Sequence, residues 1–277
     1  MTPPSTPQSP TAPSRPTSAS GRRWWRPGPL AIALAVLGLG AAEPARSATG
    51  GGKGRETVER SIAYHDPGGI WGTRPLELAI DESRPDGTER RTRVTFDPQA
   101  GRFTWTSERD GYEVAGRVGP GGSCQLTLDG GPVPPGRAEE LGLNCESLLR
   151  RRDYYAFLWG LPMKLRDRGT RIGKRVETTL FDGRQVQAVR VTYDRAVGSD
   201  TWFFYFDPDT AALVGYRFHH DEGRNDGEYI ILEGELEIDG LRLPRKRSWY
   251  RNRDGGYLGT DTLVAPEGGD AASDGRM

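Results

Sequence analysis

The sequence is poor in the residues on which most enzymes and metal sites depend. Its 277 residues include only two cysteines and three histidines. Two cysteines are too few for a structural zinc site, and no Gly-x-Ser-x-Gly elbow supplies an activated serine. Glycine-rich stretches such as residues 119–122 lack the strand-to-helix context of a phosphate-binding loop. The sequence therefore favours a non-enzymatic protein that needs no cofactor.

A surplus of basic charge is also missing. Lysine and arginine total 38, as do aspartate and glutamate. Residues 1–42 contain four arginines and no acid, which leaves 34 basic against 38 acidic residues in the rest of the chain. Nucleic-acid binding depends on basic residues that neutralise phosphates. We therefore expect no nucleic-acid partner.

The N-terminus has the composition of an export signal. A Pro-, Ser- and Thr-rich stretch precedes the basic residues 22–26, and an apolar run over residues 30–42 follows and ends in small residues. This run is too short to span a bilayer comfortably and is typical of a cleaved signal peptide. An uncleaved anchor is the alternative. Export by the Sec or twin-arginine route would place the protein in the periplasm or outside the cell.

The order of segments follows from this composition. We predict a signal peptide with a disordered beginning over residues 1–42 and a linker over residues 43–53. A single β-rich domain follows over residues 54–264, and residues 265–277 form a disordered tail.

An exported chain makes the only two cysteines informative. An oxidising compartment would allow Cys124 and Cys145 to form a disulfide. A loop of about 20 residues would contribute roughly 3 kcal/mol through the reduced entropy of the unfolded chain. Two free buried thiols are the alternative.

The clearest structural pattern lies in residues 198–250, which predict four successive β-strands separated by turns. Trp202 and Phe204 share one face of the first strand, because side chains alternate between faces. Tyr216 and Phe218 do the same on the next strand. Asp239-Gly240 is a strong hairpin signal. The segment is therefore predicted to be an antiparallel meander with one apolar face.

The rest of the chain extends this pattern. Further strands are predicted between residues 73 and 128, over 171–180 and 185–193, and over 257–264, so that about eleven strands are expected. The Pro-rich stretch over residues 131–136 is predicted to leave the sheet. Helices are predicted over residues 55–65 and 145–159, and Asn144 is suited to cap the second. Because strands and helices do not alternate, a parallel sheet is not expected. The predicted fold is mainly β: one strongly curved antiparallel sheet, a half-barrel, with helices over its concave face.

Several motifs resemble a family of secreted bacterial proteins of unknown function. They are YY with GLPMKL (residues 154–165), VTYD (191–194), GSDTW (198–202), NDGEY (225–229), WYRN (249–252) and LGTD (258–261). The resemblance covers about residues 56–264. That family is in turn similar to the Lol-type (LolA-like) lipoprotein carriers, half-barrels whose sheet and helical lid enclose acyl chains. The resemblance implies no catalytic residues.

Aromatic residues exceed what a thin sheet needs to cover itself. An apolar cavity between sheet and helix would be lined by Trp71, Trp105, Tyr155, Trp159, Trp202, Phe204, Tyr216 and Phe218. The alternative is that these rings form an ordinary core. Arg217 and Arg247 are interpreted as lying on the opposite face, in solvent.

A metal site is the competing interpretation of the histidines. His65 lies on the apolar side of the first helix, and His220 shares the aromatic face of its strand. With Asp221 they could hold a divalent ion. Histidines on apolar faces are more often hydrogen-bonded core residues, so a structural role for these histidines is the alternative to a metal site.

The sequence thus predicts an exported binding protein for a lipophilic molecule, either a lipid or the acyl chain of a lipoprotein. Peripheral contact with a membrane is compatible with such a ligand. Two alternatives stay open: a metal-dependent or hydrolytic enzyme using His65, His220 and Asp221, and a structural or interaction domain with a filled core.

Overall fold

The structure, a computed structural model, describes residues 52–109 and 111–265. The predicted signal peptide, most of the predicted linker and residues 266–277 of the predicted tail lie outside these residues. Lys53, assigned to the linker, begins the first helix. Within the described ranges, no helix combines the length and the apolar character needed to span a bilayer.

Three α-helices are present in the described chain: α1 Lys53–His65, α2 Pro135–Leu141 and α3 Cys145–Trp159. Short 3-10 helices cover Pro120–Gly122, Met163–Arg166 and Glu222–Arg224. The strands are β1 Leu76–Ser83, β2 Glu89–Asp97, β3 Arg102–Arg109, β4 Tyr112–Val118, β5 Cys124–Leu128, β6 Gly131–Pro132, β7 Thr170–Ile172, β8 Glu177–Phe181, β9 Arg184–Tyr193, β10 Thr201–Phe206, β11 Leu213–His219, β12 Glu228–Ile238, β13 Leu241–Arg251 and β14 Tyr257–Val264.

All of these strands belong to one antiparallel sheet. Its order is β6-β5-β4-β3-β2-β1-β14-β13-β12-β11-β10-β9-β7, with β8 paired to β9 away from this path. The pairing of β1 with β14 joins the two ends of the domain, for example at Ile80 and Leu263. The sheet is strongly curved and does not close. The predicted fold class is therefore confirmed.

The number of strands is corrected from eleven to fourteen. The single strand predicted over residues 171–180 is two strands, β7 and β8, which pair with different parts of β9. Gly173 lies between them, close to the Arg190 carbonyl. The Pro-rich stretch from residue 131 was predicted to leave the sheet, yet β6 adds a two-residue edge strand there. Proline has no N–H group to donate to a neighbouring strand, and it is tolerated at an edge because one side of an edge strand has no neighbour.

Helix α1 and helix α3 cover the same face of the sheet. Helix α1 approaches β9 and β13, and Gly54 lies against Val189, which faces the same way as its partner Phe204. Helix α3 lies over β4 and β5, where Leu148 packs on Gly116; a Cβ atom there would lie 2.5 Å from a Leu148 methyl carbon. We call this covered side the inner face.

The position of α3 is fixed at its N-terminus. The Asn144 carboxamide accepts a hydrogen bond from the Ser147 amide at 2.8 Å, and the Ser147 hydroxyl accepts one from the Asn144 amide at 3.1 Å. This capping box satisfies two backbone donors that would otherwise lack partners. Cys145, the first residue of α3, forms a disulfide with Cys124 on β5, with 5.8 Å between their Cα atoms. The predicted helix, its cap and the disulfide all occur in the structure.

The outer face carries a second, smaller core that the sequence analysis does not predict. Phe181, Val186, Ala188 and Tyr205 are buried together there. The rings of Phe181 and Tyr205 stack with centroids 4.1 Å apart. The Phe181 ring thus covers part of the outer face, so the sheet buries apolar residues on both sides in this region.

Candidate functional site

Four of the eight predicted ligand residues form a continuous aromatic wall on the inner face. Strands β10 and β11 pair Trp202 with Phe218 and Phe204 with Tyr216. The ring centroids in these two pairs are 4.8 Å and 5.9 Å apart. Each of the four side chains is at most 3 % exposed. The alternation predicted from the sequence therefore brings these rings together, and we call Trp202, Phe204, Tyr216 and Phe218 the ring wall.

The C-terminal half of α3 rests on the ring wall. Phe157 meets Trp202 edge to face with 5.3 Å between centroids. Trp159, one of the predicted residues, is 1 % exposed and places its ring against the Arg247 guanidinium, 3.7 Å from the ring centroid. The helix thus covers the wall with aromatic side chains of its own.

The remaining predicted residues lie elsewhere around the interior. Trp105 on β3 is buried beneath the Arg151 guanidinium, which lies 4.6 Å from its ring centroid. Tyr155 is buried on α3, and burial raises the pKa of its hydroxyl to about 12. Trp71 precedes β1 and packs against Phe96, with centroids 6.3 Å apart. The eight residues therefore surround one interior but form more than one group.

Two clefts stand out in the described part of the chain, and none of the eight residues lines either. One, of about 300 Å³, is bounded by the residues around Leu213, Leu232 and Pro244. The other, of about 760 Å³, is mainly acidic and opens where β1, β2, β3 and β4 meet the turn at Gly111. The rings below α3 are packed against one another in this conformation, as in an ordinary core.

Arg247 is the largest correction to the sequence analysis. Predicted in solvent, it is fully buried on the inner face. Its guanidinium donates hydrogen bonds to the Leu158 carbonyl at 2.7 Å and to the Pro244 carbonyl at 3.3 Å. Burial lowers the pKa of the guanidinium. The alternation itself holds the signal that the prediction missed, because Arg247 is two residues from the buried Trp249 and therefore shares its face.

The predicted position of Arg217 is closer to the one that the structure shows. It lies next to Tyr216 in sequence and so projects to the outer face, where it is half-buried over the Tyr229 ring at 5.3 Å from the centroid. Its neighbourhood is thus aromatic rather than purely aqueous.

A buried ionic network occupies the inner face of β1, β2 and β14. Glu82, with 2 % of its side chain exposed, accepts hydrogen bonds at 2.6 Å from both Arg90 Nε and the Thr92 hydroxyl. Asp261 accepts from Arg84 at 3.0 Å and from the Trp249 indole at 3.1 Å. The sequence analysis assigned no interior charges to this region, although the residues alternate correctly for the inner face.

The two carboxyl groups of this network respond to burial in opposite ways. Burial acts to raise the pKa of Glu82, but the charge and hydrogen bonds of Arg90, together with the Thr92 hydroxyl and the Arg84 charge, outweigh burial and lower it. The pKa of Asp261 is raised by burial and by the negative charge of Glu82, which the charge of Arg84 does not fully offset. Glu82 is therefore the firmly ionised member of the pair.

The histidines do not share a site with Asp221. His65 is fully buried and uses both ring nitrogens on the backbone: Nδ1 donates to the Arg242 carbonyl at 2.5 Å, and Nε2 accepts from the Leu213 amide at 2.9 Å. Burial lowers the pKa of this imidazole. His65 thus has the bonding of a core histidine, without a free lone pair for a metal.

His220 and Asp221 have local partners instead. The His220 Nδ1 atom lies 2.9 Å from the buried Asp200 carboxylate. Asp221 is exposed, accepts a hydrogen bond from the Gly223 amide at 3.0 Å and forms an ion pair with Arg224. Among the described residues, no group of three or more histidine, cysteine, aspartate or glutamate side chains could hold a metal ion.

Structural comparison finds similar chains of low sequence identity. A domain described as an outer membrane lipoprotein-sorting protein from Vibrio parahaemolyticus is 10% identical, with 77% of this chain and 91% of that chain covered and a TM-score of 0.44. The LolA superfamily protein NE2245 from Nitrosomonas europaea is 12% identical over 76% of this chain and 91% of its own, with a TM-score of 0.43. A DUF1329 family protein from Desulfovibrio piger is 10% identical over 77% and 92%, with a TM-score of 0.42.

Sequence comparison is more specific. No curated protein is significantly similar to the chain. The family of unknown function DUF6503, in contrast, matches residues 47–266, close to the range over which the motifs carry the predicted resemblance. The chain belongs to the family of unknown function DUF6503.

Proposed function

We propose that this protein is an exported, non-enzymatic binding protein that holds a lipophilic molecule between the ring wall and helix α3. The observation that carries the proposal is the ring wall, a continuous apolar surface of four aromatic side chains that α3 covers through Phe157. Beside it, Tyr216 Oη and Arg247 Nε are buried and make no hydrogen bond of ordinary geometry, and the same is true of Trp105 Nε1 further along the interior. Buried polar atoms are nearly always hydrogen-bonded, so these atoms would pair with water or with a polar group of the ligand.

Access to the ring wall requires movement of α3, and the attachment of that helix is unequal along its length. Its first residue is held covalently to β5 through Cys124. Its last turn is held by the contacts of Phe157 with Trp202 and of Trp159 with Arg247. Lifting the C-terminal half would expose the ring wall while the disulfide retains the helix.

A lipophilic ligand would compensate for this opening. Exposing apolar surface costs about 25 cal/mol per Å², and an acyl chain laid on Trp202 and Phe218 would cover that surface again. Filled in this way, the four residues of the ring wall would act as cavity lining in the bound state and as core in the free state. The ligand classes that suit such a surface are a free lipid and the acyl chain of a lipoprotein.

The proposed export has independent support from the disulfide. Disulfides persist in oxidising compartments and are rare in the cytosol, and Cys124 and Cys145 are joined. The predicted signal over residues 1–42 agrees with a periplasmic or extracellular location. A carrier in that location would meet lipid at a membrane surface, where peripheral contact would suffice.

Native mass spectrometry of protein purified without detergent from its own host tests the proposal. We expect a fraction of the protein to carry an added mass that organic extraction identifies as a lipid or acylated species. The same protein unfolded, extracted and refolded with its disulfide intact is the control, and it should regain that mass when the extract is returned. Protein free of any apolar species before and after this addition would contradict the proposal.

A filled-core interaction domain is the second candidate, and the close packing of the rings favours it. Its interaction surface would be the outer face, where Tyr229 and Tyr250 stack at 5.1 Å and Tyr257 continues the row at 5.6 Å. Substituting Tyr250 with serine would abolish partner binding in this case and would leave lipid binding unchanged in the first.

A further inference from the structure

Arg247 is an interior cation without a carboxylate of its own. The two carboxylates of the buried ionic network each have another arginine: Arg90 holds Glu82, and Arg84 holds Asp261. Asp261 is the cross-strand neighbour of Arg247, but its two oxygens accept from Arg84 and from Trp249. Among the described residues, no carboxylate forms an ion pair with the Arg247 guanidinium.

The partners that Arg247 does have are weak substitutes for an anion. A guanidinium offers five N–H donors. Here it donates hydrogen bonds to two backbone carbonyls and lies over the face of Trp159. Its Nε donor is buried and makes no hydrogen bond of ordinary geometry, and neither does the hydroxyl of Tyr216. The two side chains are close enough for a weaker, poorly aligned hydrogen bond between them, which an anion could replace. A buried charge that is not paired is costly, so this position is predisposed to accept a negative group.

Helix α3 supplies most of the present partners of Arg247. The Leu158 carbonyl and the Trp159 ring both belong to the last turn of α3. If that turn lifts, as the proposed function requires, the guanidinium loses both partners and keeps only the Pro244 carbonyl at 3.3 Å. Its freed donors would then lie beside Tyr216, a member of the ring wall.

We propose that Arg247, with the Tyr216 hydroxyl, binds the anionic head of an amphiphile whose apolar chain lies on the ring wall. This inference rests on the proposed function and names its ligand class: a long-chain molecule with an acidic oxyanion head, in preference to a neutral lipid. An arginine binds a carboxylate or phosphate through two parallel hydrogen bonds, and the tyrosine hydroxyl adds a third donor. The anionic head takes the place of the Leu158 carbonyl and the Trp159 ring, which α3 withdraws when its last turn lifts. Ligand binding and the opening of α3 are therefore coupled.

Calorimetric titration with matched twelve-carbon probes tests the head-group preference. The full exported chain with its disulfide intact is titrated with dodecanoate, dodecyl phosphate and 1-dodecanol, below the concentrations at which they form micelles. We expect at least one acid to bind about 10- to 100-fold more tightly than the alcohol, the range expected for hydrogen bonds to a charged group. Which acid binds more tightly identifies the head-group chemistry.

Three variants assign this preference to the inner face. Arg247→Met should remove the preference for the acid and leave dodecanol binding intact. Tyr216→Phe removes only the unpaired hydroxyl, so it should reduce acid binding severalfold even if Arg247→Met does not fold. Arg245→Met, an exposed arginine on the same strand, is the matched control and should bind all three probes as the unaltered protein does.

The outcomes separate this inference from the proposed function. Equal binding of acid and alcohol, or an acid preference that survives both Arg247→Met and Tyr216→Phe, overturns the inference and leaves lipid binding in place. Failure of all three probes to bind contradicts both proposals together.

Discussion

Replacing Phe157 with alanine should weaken the free protein and strengthen its binding of an apolar ligand. Phe157 projects from the C-terminal half of α3, is 4 % exposed and meets Trp202 edge to face. If α3 is a cover that a ligand displaces, this ring stabilises only the closed state. Its removal therefore acts on the equilibrium between closed and open forms as well as on folding.

The magnitude follows from the burial of the ring. Truncating a buried phenylalanine costs about 3–5 kcal/mol, a large part of the 5–15 kcal/mol typical of a domain. In the open, ligand-bound state the ring is already withdrawn from Trp202, so the substitution costs less there. A ligand binds more tightly to a protein whose binding-competent state is more populated. A difference of about 1.4–2.7 kcal/mol between the states corresponds to roughly 10- to 100-fold tighter binding.

Urea unfolding measures the first effect, and titration with dodecanoate measures the second. Phe181→Ala is the matched control, because Phe181 is buried to a similar extent on the outer face and stacks on Tyr205. We expect both variants to lose comparable stability, but only Phe157→Ala to gain affinity. Equal affinities in the two variants and the unaltered protein would refute the idea that α3 covers a binding site.

Three further predictions concern stability. Replacing both Cys124 and Cys145 with serine should lower the free energy of unfolding by about 3 kcal/mol, because the disulfide closes a loop with a sequence separation of 21 residues; a reductant should have the same effect on the unaltered protein and none on the variant. Glu82→Gln should cost about 3–5 kcal/mol by leaving Arg90 without its buried counter-charge. Because the pKa of Glu82 is lowered in the folded state, its contribution to stability is present above the unfolded pKa of about 4.3. That contribution is lost as the pH falls through the folded pKa. Acid titration of the urea midpoint should show this loss in the unaltered protein and not in the variant. Because the pKa of His65 is lowered in the folded state, the unfolded chain takes up a proton first as the pH falls below about 6.5, so stability should decline from there to the folded pKa, and His65→Asn should flatten that decline.

Local patterns predicted the architecture because they depend on neighbours in the chain. The extent of α3 and its cap at Asn144 follow from the residue types at the ends of the helix, which can be read directly from the sequence. The hairpin at Asp239-Gly240 likewise follows from two residues that adopt positive φ, 52° and 88°, as a tight turn requires. The ring wall needed only the alternation of side chains along β10 and β11.

Interior charges were not predicted, because they depend on strand order. Glu82 and Asp261 lie far apart in sequence, and only the pairing of β1 with β14 makes them neighbours. The second core around Phe181 was missed for the same reason, since the Phe181 ring meets Tyr205 only because β8 pairs with β9. Arg247 is the exception, because the alternation along β13 places it on the face of the buried Trp249 without any knowledge of strand order.

Photoaffinity labelling tests the central claim most directly. A long-chain fatty acid carrying a diazirine on its chain is bound, irradiated and located by peptide mass spectrometry. The account predicts labels at Trp202 and Phe204, whose side chains form the ring wall, and none at Phe203 or Tyr205, which alternate with them and face outwards. Labels at Phe203 and Tyr205 with Trp202 and Phe204 unmarked would show that the lipid lies on the outer face, and the account would be wrong.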